Sequence, residues 1–250
     1  MTLPLDHLSA SSVSLFLRCP RQFQEQYIRG SRGPSNSALV IGSAVHLALS
    51  RELKGEPRGK YFKETVDRAM AENGEIEWKY PESYCQKRAR TAVDMYMKRV
   101  APSLNVLETE KEILIELPGI DIPILGYVDI VTDRGVIDIK TTGYVNRKIS
   151  IQPAWKLQMN VYQLEYPTHG EFHVITNSAS YPLVIPDSRD HPFCVAPVDN
   201  MELMLYLARI YKVMESYYEM FGEEDDWPGN VTHDWAAKYC PLGEKCCQRM

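Results

Sequence analysis

Gly126-Tyr127-Val128-Asp129-Ile130-Val131-Thr132-Asp133-Arg134-Gly135-Val136-Ile137-Asp138-Ile139-Lys140 holds two short β-branched runs on either side of the turn-forming Asp133-Arg134-Gly135, the pattern of an antiparallel hairpin. A turn centred between Asp133 and Arg134 sets Asp129 opposite Asp138. Facing residues in such a pair have Cβ atoms about 4.5–5.5 Å apart, and two like charges there are destabilising unless something neutralises them. A hard divalent cation does so, because Mg²⁺ and Mn²⁺ favour carboxylate oxygens and leave positions for water and phosphate oxygens. Side chains alternate along a strand, so Asp138 and Lys140 share one face while Ile137 and Ile139 enter the core. The Lys140 ammonium then stands beside the cation, where it can orient or deprotonate an attacking water and offset charge in the transition state. Asp-x-Lys is a common sequence, and the plainer reading is a solvated hairpin in which Lys140 pairs with Asp138.

Outward from the hairpin, strands are expected at 106–117, 122–131 and 135–140, a meander punctuated by Pro118-Gly119 and Asp133-Arg134-Gly135. Before it the chain reads helical. Ser11 or Ser12 can cap a segment with Val13, Phe16 and Leu17, which Cys19-Pro20 interrupts before Phe23 and Tyr27 continue at i, i+4. Helices follow at 38–53, with Ile41, Val45 and Leu49 on one stripe, and at 83–100. After the meander, Pro153 opens a helix carrying Trp155, Gln158, Met159, Tyr162 and Leu164. Strands at 172–176 and 193–196 and a long helix at 200–221 complete the pattern. The order predicts an α/β fold, a mixed sheet flanked by helices, with an N-terminal helical part and a cysteine-bearing C-terminal tail. A single domain over 1–250 is expected, divided into 1–104, 105–198 and 199–250.

The chain has 250 residues, 44% of them hydrophobic, enough to bury a sizeable core. A formal net charge of -5 argues against coating nucleic acid by bulk electrostatics. It leaves phosphate contacts to local basic stretches, such as Arg18 to Arg32 and Arg147-Lys148. No apolar run approaches the roughly 18–20 residues that cross a bilayer, and no secretory leader pattern is present, so the expected location is the cytoplasm, away from membranes. Six cysteines in a reducing compartment are expected as metal ligands or buried thiols. Cys85 and Cys194 fit the second description; Cys240, Cys246 and Cys247 crowd the last eleven residues.

The run Gly126 to Asp129, followed by Val136-Ile137-Asp138-Ile139-Lys140-Thr141-Thr142, resembles the catalytic core of RecB-type nucleases in the PD-(D/E)XK superfamily. Three further stretches are similar to motifs of that family and occur in its order. Gly42-Ser43-Ala44-Val45-His46 resembles the histidine motif and Gln158-Met159-Asn160-Val161-Tyr162 the Gln-x-x-x-Tyr motif, while Ser12 to Tyr27 resembles the N-terminal cysteine segment. The resemblance covers nearly the whole chain and is weakest over 54–105 and 182–192. It implies the restriction-endonuclease-like core. It also implies that His46, Asp129, Asp138 and the backbone carbonyl of Ile139 hold Mg²⁺ or Mn²⁺, that Lys140 is catalytic, and that Gln158 and Tyr162 contact substrate phosphate and position Lys140. On the residues alone, His46 reads as one more member of the Val45 and Leu49 stripe, and Gln158 and Tyr162 as one face of an amphipathic core helix. Glu108 and Glu110 alternate with Lys111 and Glu112 as a solvated strand face would, and they are not counted in the site.

In the iron-sulfur branch, which includes CRISPR-associated and phage-like exonucleases, an N-terminal cysteine joins three C-terminal ones spaced Cys-x2-Cys-x5-Cys to hold a 4Fe-4S cluster. Cys19, Cys240 and Cys246 match three of those positions, but Ala237 stands where the remaining ligand belongs. Cys247 or His233 is the substitute. Such a cluster would tie the chain ends together as a structural element. Zinc on three thiolates and a histidine is equally acceptable chemistry, and free thiols are a third reading. The activity implied is a DNA exonuclease of replication, recombination, repair or processing. It would act on single strands or accessible ends, with a recombination or helicase partner. Endonuclease trimming and spacer processing stay open. A contrasting reading is a non-catalytic DNA-binding or helicase-associated module that keeps the fold through the cluster.

Overall fold

The computed structural model describes residues 2–31, 33–142, 150–176, 184–186 and 188–230. In chain order it forms α1 (Ala10–Arg18), α2 (Pro20–Phe23), a π-helical turn (Gln24–Ile28), β1 (Ser35–Asn36), α3 (Ser37–Leu53), α4 (Tyr61–Asn73), β2 (Ile76–Glu77) and α5 (Glu82–Arg99). Then come β3 (Val106–Ile115), β4 (Ile124–Thr132), β5 (Gly135–Thr142), α6 (Pro153–Glu165), β6 (Gly170–Thr176), β7 (Cys194–Val195) and α7 (Asn200–Phe221). The chain divides into two compact units. A terminal unit comprises Met1–Gly33, Ile113–Gly126 and Val198–Met250, and a central unit comprises Pro34–Glu112 and Tyr127–Pro197. These boundaries cut across the 1–104 segment. Among the described residues no helix is long and apolar enough to cross a membrane.

The mixed sheet runs β3-β4-β5-β6-β7, antiparallel between β4 and β5 and between β6 and β7 but parallel between β5 and β6. Parallel neighbours need a crossover, and α6 supplies it. Thr132 pairs with Gly135 across the two-residue turn Asp133-Arg134, and Gly135 takes φ +148 with His169 O only 2.2 Å from where a Cβ would stand. Ile130, Ile137, Ile139 and Ile175 form one core with Ile41, Val45 and Leu49 of α3 and with Ala89, Val93 and Tyr96 of α5. The stripe on α3 and the inward isoleucines of β5 are therefore two sides of one apolar layer. On α6, Trp155 lies against Phe172 with ring centroids 5.8 Å apart.

The terminal unit is built around Phe16, Phe23 and Trp227. Their rings meet edge-on or stacked at 5.5–6.3 Å. Ser9, not Ser11 or Ser12, caps α1: its side chain accepts from the Ser12 N–H while Ser12 reciprocates as the third helical residue. Cys19-Pro20 ends α1 as expected, because Cys19 is extended and Pro20 starts a new helix. The fully buried Gln24 amide donates to the Asp225 carbonyl at 2.7 Å and accepts from the Trp227 N–H at 2.9 Å. Two arginines of the expected basic stretch are engaged internally: Arg21 and Arg29 pair with Glu25 and Asp226. Cys85 is buried as expected, whereas Cys194 is half-exposed, with its thiol 3.2 Å from the Ser188 carbonyl. The edge strand β7 is only two residues long and cannot enclose it.

Candidate active site

The hairpin brings two carboxylates to the middle of the sheet and then treats them differently. In the β4–β5 register, Asp129 is the counterpart of Asp138, and the paired residues end at Ile130 and Ile137. Just beyond, the Ile139 N–H donates to Asp129 Oδ2 at 2.6 Å, so the side chain takes a place in the strand pairing. Its other oxygen lies 3.0 Å from His46 Nδ1. His46 reaches it because α3 lies close on β5: a Cβ on Gly42 would be 3.0 Å from Thr141 Oγ1. That close approach explains a glycine one helical turn before the histidine.

Glu110 completes this group. One ligand atom each from His46, Glu110 and Asp129 lie within 4.8 Å of one another. Glu110 has φ +49, the one non-glycine residue with positive φ among those described, a conformation that costs of order 1–3 kcal/mol and persists where the surroundings enforce it. Alternation along β3 predicts a solvated face, and the backbone departure at Glu110 leaves no mark in that alternation. A cleft of about 560 Å³, lined by Gly42, Ser43, His46, Arg68, Glu110 and Thr141, opens onto the group.

Asp138 is not part of that trio. It is 1% exposed, and Lys140 Nζ stands 2.7 Å from its Oδ2. Beyond that ion pair Oδ2 has no other protein partner among the described residues, which leaves a buried carboxylate oxygen with a lone pair to spare. Lys140 also donates to Gln158 Oε1 at 2.8 Å. The Gln158 amide donates to Tyr162 Oη at 2.6 Å, and Tyr162 donates to the Tyr127 carbonyl at 2.6 Å. Each partner fixes the next, so Gln158 presents its oxygen to the lysine. The backbone of Ile139 meets the site through its N–H, which donates to Asp129.

Electrostatics follow the same division. Burial lowers the His46 pKa, but the charge and hydrogen bond of Asp129, with Asp138 and Glu110 behind it, overcome this and raise it to about 9. A cation that takes His46 as a ligand must displace that proton. Loss of hydration, then Asp129, pushes the Glu110 carboxyl up. Burial raises Asp138, with Lys140 opposing and Asp129 adding to the rise. Burial and the charges of Asp138 and Asp129 push Tyr162 well above the ordinary phenol range, so it remains an O–H donor. The carboxylates of Asp129 and Glu110, the His46 imidazole and the adjacent Asp138 carboxylate are a donor set suited to a hard divalent cation.

Of the four residues implied for an iron-sulfur cluster, Cys19 is buried at the α1–α2 break. Cys240, Cys246 and Cys247, together with His233, Arg147 and Lys148, lie outside the described residues.

A sequence profile of the PD-(D/E)XK nuclease superfamily matches residues 7–246. The chain belongs to that superfamily. Among solved structures it is similar to a crystal structure from Eubacterium rectale, of a protein whose exonuclease assignment is itself provisional. The TM-score is 0.59 and the identity 13%, over 98% of this chain and 88% of that one. That likeness concerns the fold. A second structure, SSO0001, matches at 14% identity over 84% of each chain with a TM-score of 0.39, too loose to bear on it. No curated protein matches significantly in sequence.

Proposed function

We propose that the protein is a divalent-metal-dependent DNA exonuclease in which Lys140 is the catalytic cation. The observation that carries this reading is the position of Lys140 Nζ, 2.7 Å from Asp138 Oδ2 and 2.8 Å from Gln158 Oε1. A surface lysine paired for solubility has no need of a half-buried, relayed amide to aim it. His46, Asp129 and Glu110, with Asp138 adjacent, would hold Mg²⁺ or Mn²⁺, which when bound supplies Lewis-acid polarisation of a phosphoryl oxygen. Lys140 orients the attacking water and stabilises negative charge as it develops on phosphorus. Gln158 and Tyr162 are positioning residues that hold Lys140 on that line. Arg68, an exposed α4 residue lining the cleft, suits a substrate phosphate.

Exonuclease action comes from the family resemblance, and the discriminating test compares end-labelled linear with closed circular DNA in Mn²⁺, Mg²⁺ or EDTA. Cleavage of the linear form alone, abolished by EDTA, is the expected result; nicking of the circle at the same rate would make the protein an endonuclease. The same reading includes a 4Fe-4S cluster on Cys19, Cys240, Cys246 and Cys247. Anaerobically purified protein should then contain iron and acid-labile sulfide, and Cys19→Ser should lose both; zinc in their place would favour the thiolate–histidine alternative. A recombination or helicase partner belongs to this reading as well.

A further inference from the structure

Beside the catalytic cleft lies a second groove, of about 650 Å³, to which the nuclease motifs assign nothing. We propose that Trp78, Tyr80 and Tyr84 form a base-stacking platform for single-stranded DNA on its way to the His46 cleft. The proposal deepens the nuclease reading and rests on it for the identity of the strand.

The three rings are among the larger exposed apolar side chains, at 36%, 44% and 38% exposure. Tyr80 and Tyr84 lie 5.3 Å apart, centroid to centroid. Lys79 Nζ is 5.6 Å from the Tyr80 ring and the Arg88 guanidinium 4.9 Å from the Tyr84 ring. Aromatic faces interleaved with cations are what single-strand binders use: bases stack on the rings whatever their identity, while the cations meet the phosphates. Glu77 is the one acidic residue of the lining, against Lys79 and Arg88.

The platform is held in place. β1 and β2 pair in parallel, Ser35 with Ile76 and Asn36 with Glu77, and the Lys79 N–H donates to Ser37 Oγ at 2.9 Å. These contacts pin residues 76–79 to the start of α3. The groove and the catalytic cleft share one lining residue, Ala38 at the start of α3. From Ala38 to His46 is eight residues along one helix, about 12 Å. A strand stacked on the platform thus meets the metal group within a short run of nucleotides, and a rigid duplex cannot present its bases to the rings without opening. The geometry points to single-strand selectivity set by the groove rather than by the metal site.

The test measures anisotropy of a labelled oligothymidylate and of a blunt duplex, in EDTA to prevent cleavage. Proteins compared are wild type, Trp78→Ala, Tyr84→Ala and Trp78→Phe. Each alanine should weaken single-strand binding roughly tenfold and leave duplex binding within about twofold, while Trp78→Phe keeps most of the affinity. Arg88→Ala should reduce the salt slope by about one. Unchanged oligothymidylate binding in both alanine variants overturns the proposal, as does a concentration-dependent dimer that Trp78→Ala abolishes. Mn²⁺-dependent hydrolysis of a small aryl phosphodiester by wild type, a substrate too short to reach the platform, reports separately on the catalytic reading: its absence would sink that reading while the anisotropy still decides the platform.

Discussion

Lys140 and Glu110 mark the two halves of what single residues do in this site. Removing the Lys140 ammonium deletes the charge nearest Asp138 and should lower kcat about 10²–10³-fold, with melting measured in parallel to separate chemistry from folding. Glu110→Gln should instead raise the Mn²⁺ concentration needed for half-maximal cleavage, by about tenfold or more, since losing a ligand should cost at least what losing an outer contact does. An unchanged Mn²⁺ requirement would remove Glu110 from the metal group. The difference in legibility is physical. Asp138 and Lys140 were readable because period-two alternation puts them on one face, and that is where they are. Glu110 was not, because a single positive φ re-aims it and alternation assumes that no such residue intervenes. Glu110 also joins His46 and Asp129, two of the expected ligands, in one group of ligand atoms. The Asp129 carboxylate accepts from the Ile139 N–H where the β4–β5 pairing ends, an arrangement that residue spacing does not encode.

At the scale of elements, hydrophobic period and punctuation located most helices and strands. α7 begins at Asn200 and ends at Phe221 as read, and Pro153 is the first residue of α6. α4 went unread because it buries only Tyr61, Phe62 and Thr65, starts without a side-chain cap, and so shows no sustained stripe. The α3–β5 approach predicts that Gly42→Leu drives a side chain into Thr141, costs about 1–3 kcal/mol and displaces His46; an unaltered melting temperature would contradict the packing. α5 meets β6 through His173, which is fully buried, accepts from the Tyr96 hydroxyl at 2.9 Å and donates to Glu171 at 3.0 Å. Burial lowers the His173 pKa, and the hydrogen bond from His173 lowers that of Glu171. Both folded values are depressed, so stability is full above the unfolded values and is lost as pH falls. Melting temperature should decline below roughly pH 6.5 as unfolded histidine takes up its proton, and further below roughly pH 4.3 as unfolded glutamate does. His173→Gln should flatten the first decline, and an equal slope in both proteins would refute that assignment.

The whole chain carries a net charge of -5 yet keeps basic and aromatic side chains near one cleft in its central unit, so bulk charge was a weak guide to substrate. Within the basic stretch expected to follow a DNA backbone, Arg21 and Arg29 pair with Glu25 and Asp226. Sequence distance hid that: Asp226 is about two hundred residues away. The same holds for Trp227, whose packing on Phe16 and Phe23 joins segments from both chain ends and cannot be inferred from either. Binding to single-stranded DNA should fall with salt along a shallow slope, set by few phosphate contacts; a slope as steep as that of a heavily basic protein would place the interface elsewhere. On the proposed reading Lys140, aimed by Gln158 and standing near the His46–Asp129–Glu110 group, makes this fold a nuclease. Its most direct test is the Mn²⁺-dependent rate of linear DNA cleavage by wild type and by Lys140→Ala at equal thermal stability. A loss of about two to three orders of magnitude is predicted, and cleavage that persists in the variant or in EDTA would contradict the claim.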